Sequence, residues 1–438
     1  MKKLLATGLC AAMACTMLAG CSGGGDKEYD LYVAGLDGGF GVDGWNAVID
    51  AFEEQEGVKV KRNFDKNIAE SLKPVIQSGK ELPDVIYLSV GSAGGLTDTM
   101  IREKQLVDIS DVLDMEVPGE KGVKVKDKIL PGYTEGAKAQ PYGDGTLRLA
   151  PLNSSPCGLF YNATLLKENG WEVPQTWDDM WKLGDEAKAK GIYLFTYPTP
   201  GYFDAFFASL LNATAGPEVY TKLMNYDVEA WKSPEVKEAF EIVGKLAQYV
   251  EPTTVANANK EGFTKNQQLV LDGKAIFVCN GSWLPAEMAD APRTEGFEWG
   301  VMGIPAVKEG GTKYFTDFTE QMYIPEGAEE VDLAKKFIAF CYSDEAVKLF
   351  NEKGKGAVMP TQTGVDLVSD ENRFMYEVDA TPNSNGFMAV EPVEGVDVSS
   401  ETGILFGTVN SVVSGDKTVD EWYDAVVEGV EKIAEANK

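Results

Sequence analysis

The stretch Ala150-Pro-Leu-Asn-Ser-Ser-Pro-Cys-Gly-Leu-Phe-Tyr-Asn162 lies about a third of the way along a chain of 438 residues. Pro151, Pro156 and Gly158 interrupt it, which argues against an internal ladder strand or a helix interior. Yet it carries no charge, and Leu147, Leu149, Leu159, Phe160 and Tyr161 make it apolar enough to be buried. A proline-stiffened, extended connector with small hydroxyls suits the floor of a cleft between two lobes. An edge strand with turn residues fits the same residues as well.

On the N-terminal side the pattern is that of α/β units. Tyr29 to Gly35 reads as a short buried strand, followed by the glycine-rich loop Leu36–Gly44. Trp45, Val48, Ile49 and Phe52 then recur at helical spacing, Gly57 stops the helix, and Val58 to Lys61 alternates as a strand. A second helical face (Ile68, Leu72, Val75, Ile76) ends at Gly79, and Asp84 to Leu88 is a strand leading into the loop Ser89–Gly95. The first loop lacks the lysine of a P-loop nucleotide site. Loops at the carboxyl ends of such strands are where ligands collect.

Beyond the connector, Thr176-Trp-Asp-Asp179 and Thr418-Val-Asp-Glu421 are capping boxes, and Ser233-Pro234 is an N-cap with proline at N1. Leu194 to Thr196 and Ala275 to Cys279 read as short strands. The first precedes a rigid aromatic loop, Tyr197–Phe203, and the second runs into a turn over Asn280-Gly-Ser282.

These residues, with Leu82-Pro-Asp-Val-Ile-Tyr-Leu88, Thr176-Trp-Asp-Asp179, Gly273–Trp283 and Ala334-Lys-Lys-Phe-Ile338, resemble in order and spacing the extracellular solute-binding proteins of ABC transporters. The resemblance is to the carbohydrate-binding branch that includes maltose-binding protein, and it spans nearly the whole mature chain. It implies an α/β fold of two lobes, of the type II periplasmic-binding-protein kind, with a ligand cleft between lobes and three hinge crossings. Residues 29–150 and 322–357 would form the first lobe, and 151–321 and 358–438 the second. The chain would cross back within Phe315–Ile324 and again near Ala357–Pro360.

The N-terminus reads as a sorting signal: Lys2-Lys3, an apolar run from Leu4 to Met17, and then Leu18-Ala-Gly-Cys21, which resembles a lipoprotein box. Residues 1–20 are expected to be removed, Cys21 to carry lipid, and 21–28 to act as a tether. The expected location is therefore the outer face of the cytoplasmic membrane, in a Gram-positive type of envelope, held by the lipid anchor alone. Without the leader, 38 basic side chains face 69 acidic ones, a net charge of −31. So acidic a body repels nucleic acid and anionic lipid. The roughly 410 residues that follow exceed what one core usually holds.

The chain has no histidine, which removes Ser-His-Asp and Cys-His catalysis and the usual zinc sites. Cys157, Cys279 and Cys341 are an odd number in apolar surroundings, so they are expected as small buried hydrophobes rather than a disulfide framework. No catalytic residues, cofactor or metal are expected.

Sugars are held by aromatic rings on their C–H faces and by planar polar groups at their hydroxyls. The predicted cleft loops and the resemblance together nominate Asp37, Phe40, Trp45, Ser92, Asn153, Ser155, Tyr202, Trp283, Asp317 and Phe406 as ligand-binding. The resemblance places Trp283 at a sugar-stacking tryptophan, Tyr202 near a stacking tyrosine, and Phe406 near a third stacking position where the residue type differs. Ser155 stands where maltose-binding protein has a sugar-binding glutamate, so the ligand is not simply maltose and Asn153 is expected to take over hydroxyl recognition. The expectation is a monomeric carbohydrate receptor serving an ABC permease. A receptor for another solute, such as a polyamine or peptide, and a lipoprotein glycoside hydrolase are the rivals.

Overall fold

The computed structural model describes residues 28–38, 40–92, 95–136, 138–370, 372–383, 395–400 and 402–436. The expected leader, and with it Cys21, lies outside them. Two sheets organise the rest. The first contains β1 (Leu31–Leu36), β2 (Val60–Asp65), β3 (Val85–Tyr87), β4 (Ala150–Pro151) and β10 (Gln321–Tyr323), in the order β2-β1-β3-β10-β4. The second contains β5 (Pro156–Asn162), β6 (Tyr193–Thr196), β7 (Ala275–Gly281), β8 (Trp299–Met302), β9 (Tyr314–Asp317) and β11 (Thr381–Asn383). Its order is β11-β9-β5-β7-β6, with β8 also on β5. Each sheet is buried in its own apolar core, Trp45, Phe52 and Phe337 in one and Phe195, Phe207 and Trp422 in the other. This is the two-lobed α/β fold expected.

The opening stretch splits at Ser155. Pro151 sits in β4, the edge strand of the first sheet, as a residue without an N–H must. Pro156 opens β5, and β5 is not an edge: β7 pairs it on one side, and β9 then β8 on the other. The prolines therefore did not exclude an internal strand. A proline at a strand's first residue sacrifices little of the ladder, and Gly158 pairs with Asn280 within it.

Local signals elsewhere correspond closely to the elements formed. The first long helix, Asp43–Glu56, buries Trp45, Val48, Ile49 and Phe52 and ends on Gly57 at φ 70°, a left-handed cap that glycine adopts without a Cβ clash. Both capping boxes close: Thr176 Oγ1 accepts from Asp179 N at 3.2 Å, and Thr418 Oγ1 from Glu421 N at 3.1 Å. Ser233 precedes Pro234 at the helix start as expected, but its buried hydroxyl makes no cap bond.

Strand polarity decides where the connectors lie. β1 and β3 run parallel, whereas β10 runs antiparallel to both β3 and β4. The end of β4, the start of β10 and the loops after β1 and β3 thus share one end of the first sheet. In the second sheet the start of β5 meets the ends of β7 and β9, and β6 runs parallel to β7. The loops after β6, β7 and β9 therefore gather at the end from which the chain crosses.

Two crossings, residues 152–155 and 318–320, lie antiparallel and bond directly: Leu152 N to Glu320 O at 2.8 Å, and Phe318 N to Ser155 O at 3.1 Å. Val358 flanks them, accepting from Ser154 N at 2.8 Å. Met359 and Leu367 still pack in the first core, and the helix Gln362–Asp366 is tied to it through Thr363 Oγ1 and Asp344. Phe374 and Met375 pack in a cluster with Phe160 of β5.

Candidate ligand-binding cleft

The loops gathered at the end of the second sheet enclose a cavity of about 290 Å³. Tyr202 comes from the loop after β6, Trp283 from the end of β7, Phe318 from the second crossing, and Asp204 from the first turn of the helix Phe203–Ala215. Cys157 and Cys279, from adjacent strands, line its wall with Asn280. The rings of Trp283 and Phe318 stack with centroids 6.3 Å apart and 22° between planes. Tyr202 meets Trp283 edge-on, also at 6.3 Å. The result is a half-exposed aromatic corner beside a carboxylate and an amide.

The seat of Trp283 depends on its neighbours. The expected turn over Asn280-Gly-Ser282 starts later: Asn280 and Gly281 continue β7, Gly281 pairs with Cys157, and the chain turns only at Ser282. Asn-Gly is a strong turn signal, but here the glycine serves a close approach. A Cβ on Gly281 would lie 2.2 Å from the Trp283 ring, so only glycine lets the indole fold back over the strand end. Asn280 is 3% exposed; its Oδ1 accepts from Gly281 N at 2.8 Å, while its Nδ2 has no partner in the protein. A buried donor left open at a cavity wall suits a ligand oxygen. The sequence offered no sign of this beyond the adjacent tryptophan.

The first lobe reaches the corner through Lys138. Its ammonium lies 5.5 Å from the Phe318 centroid, on a side chain that is 8% exposed. Burial pushes this ammonium down, and the charges of Asp317, Asp204 and Asp98 oppose the shift. Lys138 was not among the residues expected here, because nothing in its local sequence marks it as facing the other lobe.

Of the nominated residues, Tyr202 and Trp283 line the cavity. Asp37, Phe40 and Ser92 lie on the loops after β1 and β3 and do not line it. Trp45 and Phe406 are corrected to packing residues. Trp45 is 3% exposed, with Tyr87, Phe350 and Phe64 centroids 4.7, 5.0 and 5.5 Å away, and Phe406 is buried in the second core.

Asp317 and Asn153 are held within the hinge. Asp317 is fully buried: Oδ1 accepts from Ser155 N at 2.6 Å, and Oδ2 from Ser154 Oγ at 2.6 Å and from the Tyr133 hydroxyl. With both oxygens engaged, it clasps the two crossings rather than facing a ligand. Ser155, half-buried, contributes its backbone to the same clasp. Asn153 donates to Glu320 Oε2 at 2.5 Å, and its buried Oδ1 has no protein partner. Tyr87 donates to the same Glu320 oxygen.

Burial holds the Glu320 carboxyl above its usual range, against the hydrogen bonds from Tyr87 and Asn153. A carboxyl whose folded-state value is raised contributes stability below the unfolded value and loses it as pH rises through the folded one. Glu320→Gln retains one oxygen able to accept from both donors and cannot ionise. Its melting temperature should match wild type near pH 4, exceed it as pH rises above the ordinary glutamate range, and keep a constant lead once Glu320 is ionised in the folded protein. A difference that does not vary with pH would refute this account.

Fold and site together define a solute receptor: two α/β lobes joined by bonded crossings, with a preformed polar and aromatic cavity at the junction. Residues 47–375 match the family model described as bacterial extracellular solute-binding protein, and the chain belongs to that family. It is 28% identical over 282 residues to the diacetylchitobiose-binding protein NgcE of Streptomyces coelicolor, covering 62% of this chain and 56% of that one. It is 24% identical over 307 residues to the multiple sugar-binding protein of Streptococcus mutans, covering 66% and 71%. The chain spans about half the length of several of the curated relatives it matches. Among solved structures, the bacterial solute receptor AcbH, with its exclusive preference for β-D-galactopyranose, superposes with TM-score 0.69 at 18% identity over 93% of this chain and 98% of that one. Apo RafE of Streptococcus pneumoniae gives 0.67 at 15% identity over 92% and 98%. Among the described residues, no helix is long and apolar enough to cross a membrane.

Proposed function

We propose that this chain is the carbohydrate-capturing lipoprotein of an ABC importer, a monomer that binds sugar without altering it and delivers it to a permease. The observation that carries the reading is the Trp283–Phe318–Tyr202 corner beside the open Asn280 amide and the Asp204 carboxylate. Rings of this kind pack on sugar C–H faces, and planar polar groups take the hydroxyls. The names of the relatives support it. The same reading divides the chain at the crossings, with 29–150 and 322–357, extended through Leu367, as the first lobe. Residues 151–321, and the chain from Phe374 onward, make the second.

Because the cavity lining comes from the second lobe and the crossings, sugar would dock there first. The first lobe would then close over it, carrying Lys138 and the loops after β1 and β3, by hinge motion. A thermal-shift panel of mono- and oligosaccharides, followed by small-angle scattering with the best binder, tests this. The expected result is a higher melting temperature and a smaller radius of gyration, with the sugar recovered intact. Cleavage of the sugar would favour the hydrolase, and stabilisation only by polyamines or peptides the other receptor reading.

The membrane anchor is a separate prediction. Lipid chains hold a protein at about 0.8 kcal/mol per buried CH₂, and two chains suffice for stable attachment. Cys21→Ala should move the protein from the membrane to the soluble fraction, measured by fractionation and immunoblot. Undiminished membrane retention would count against lipidation there.

A further inference from the structure

We propose that the ligand is an oligosaccharide that runs past Tyr202 into a second, outer chamber, with one terminal ring in the cavity at Trp283. This rests on the carbohydrate reading and specifies the substrate class of the same site. Gly201 and Tyr202 line both spaces. The inner one, about 290 Å³, lies at the lower limit of small-molecule sites, which begin near 300 Å³. The outer one measures about 700 Å³ and is walled by Asn259, Glu261, Phe263, Glu287 and Thr402. A ligand of one ring would leave the larger space unused.

The shared wall and the far wall are both built rigidly. Pro198 and Pro200 stiffen the loop after β6, and the short 3₁₀ helix Pro200–Tyr202 sets the tyrosine between the two spaces. On the inner side its ring meets Trp283. Across the outer chamber, the turn through 259–262 is fixed by Asn259 Oδ1, which accepts from Glu261 N at 3.1 Å and Gly262 N at 2.9 Å. A Cβ on Gly262 would lie 2.5 Å from Asn257 O, so the turn cannot relax around a larger residue. Glu287 is positioned by Gln267 Nε2 at 2.7 Å. A preformed chamber with aromatic and hydrogen-bonding walls, continuous with the first through one tyrosine, fits the alternating apolar faces and hydroxyl edges of a linear sugar chain.

Calorimetry on the full mature chain tests this with three series: glucose, maltose and maltotriose; N-acetylglucosamine, diacetylchitobiose and triacetylchitotriose; and galactose with its β-linked oligomers. Thr402→Trp and Glu261→Trp, both at exposed positions, fill the outer chamber, and melting temperature verifies that they fold. In the series that binds, the di- or trisaccharide should bind at least tenfold more tightly than the monosaccharide. Either tryptophan variant should bring that ratio close to one. Equal affinity along a series, or an undiminished ratio in both folded variants, overturns the two-chamber site and leaves the carbohydrate reading intact. Binding of no member of any series overturns the carbohydrate reading, and this inference with it.

Discussion

Trp283→Ala is expected to weaken sugar binding by roughly 1–3 kcal/mol, the worth of a large desolvated aromatic contact, or about five- to 150-fold. The indole is half-buried, not enclosed. Its ring stacks on Phe318, meets Tyr202 edge-on and lies over Gly281 at the end of β7. Removing it should therefore cost much less folding stability than the roughly 3–5 kcal/mol of a core aromatic truncation. Titration calorimetry and a melting curve on the same sample separate the two effects. A variant that binds normally and melts far lower would mean that the ring serves packing. Gly281→Ala should act in the same direction, because its methyl occupies the place of the indole.

Asp317→Ala should destabilise the protein by about 2–4 kcal/mol, because it strands buried hydroxyl donors at roughly 1–3 kcal/mol each. Tyr133 and Ser154 lose their acceptor. Ser155 N retains the Phe318 carbonyl at 3.2 Å and so limits the damage. Asp317→Asn, which keeps one acceptor oxygen, should cost less. Urea unfolding measures both. If Asp317 were instead a ligand contact, the alanine variant would retain its stability and lose affinity, and the hinge assignment would fail. The buried charge it removes also has a raised carboxyl value, caused first by burial, so part of the loss should be recovered at neutral pH relative to acid.

Both variants probe the junction of the lobes, where the functional assignments depend on which side chains turn toward the cavity and which toward the cores. Trp45 and Trp283 show the difference. Each comes within two residues of a glycine, and each was a reasonable platform. One is enclosed by Tyr87, Phe337 and Phe350; the other stands at the cavity.

What the sequence determined by itself is what neighbouring residues decide. The helical stripe of Trp45, Val48, Ile49 and Phe52, the left-handed glycine caps at Gly57 and Gly79, and the two capping boxes depend on contacts within a few residues, and they formed as written. The α/β class and the two lobes follow from repeating such signals over a long chain. Tertiary structure alone decided the rest. It made β5 an interior strand despite Pro156, because strands more than a hundred residues away supply its partners. It turned Asn280-Gly281 from a turn into the seat of an indole, withdrew Trp45, Phe406 and Asp317 into cores and hinge, and brought Lys138 to the face of Phe318. Whether a side chain meets a ligand or a neighbour depends on groups distant along the chain, and local patterning carries no record of them.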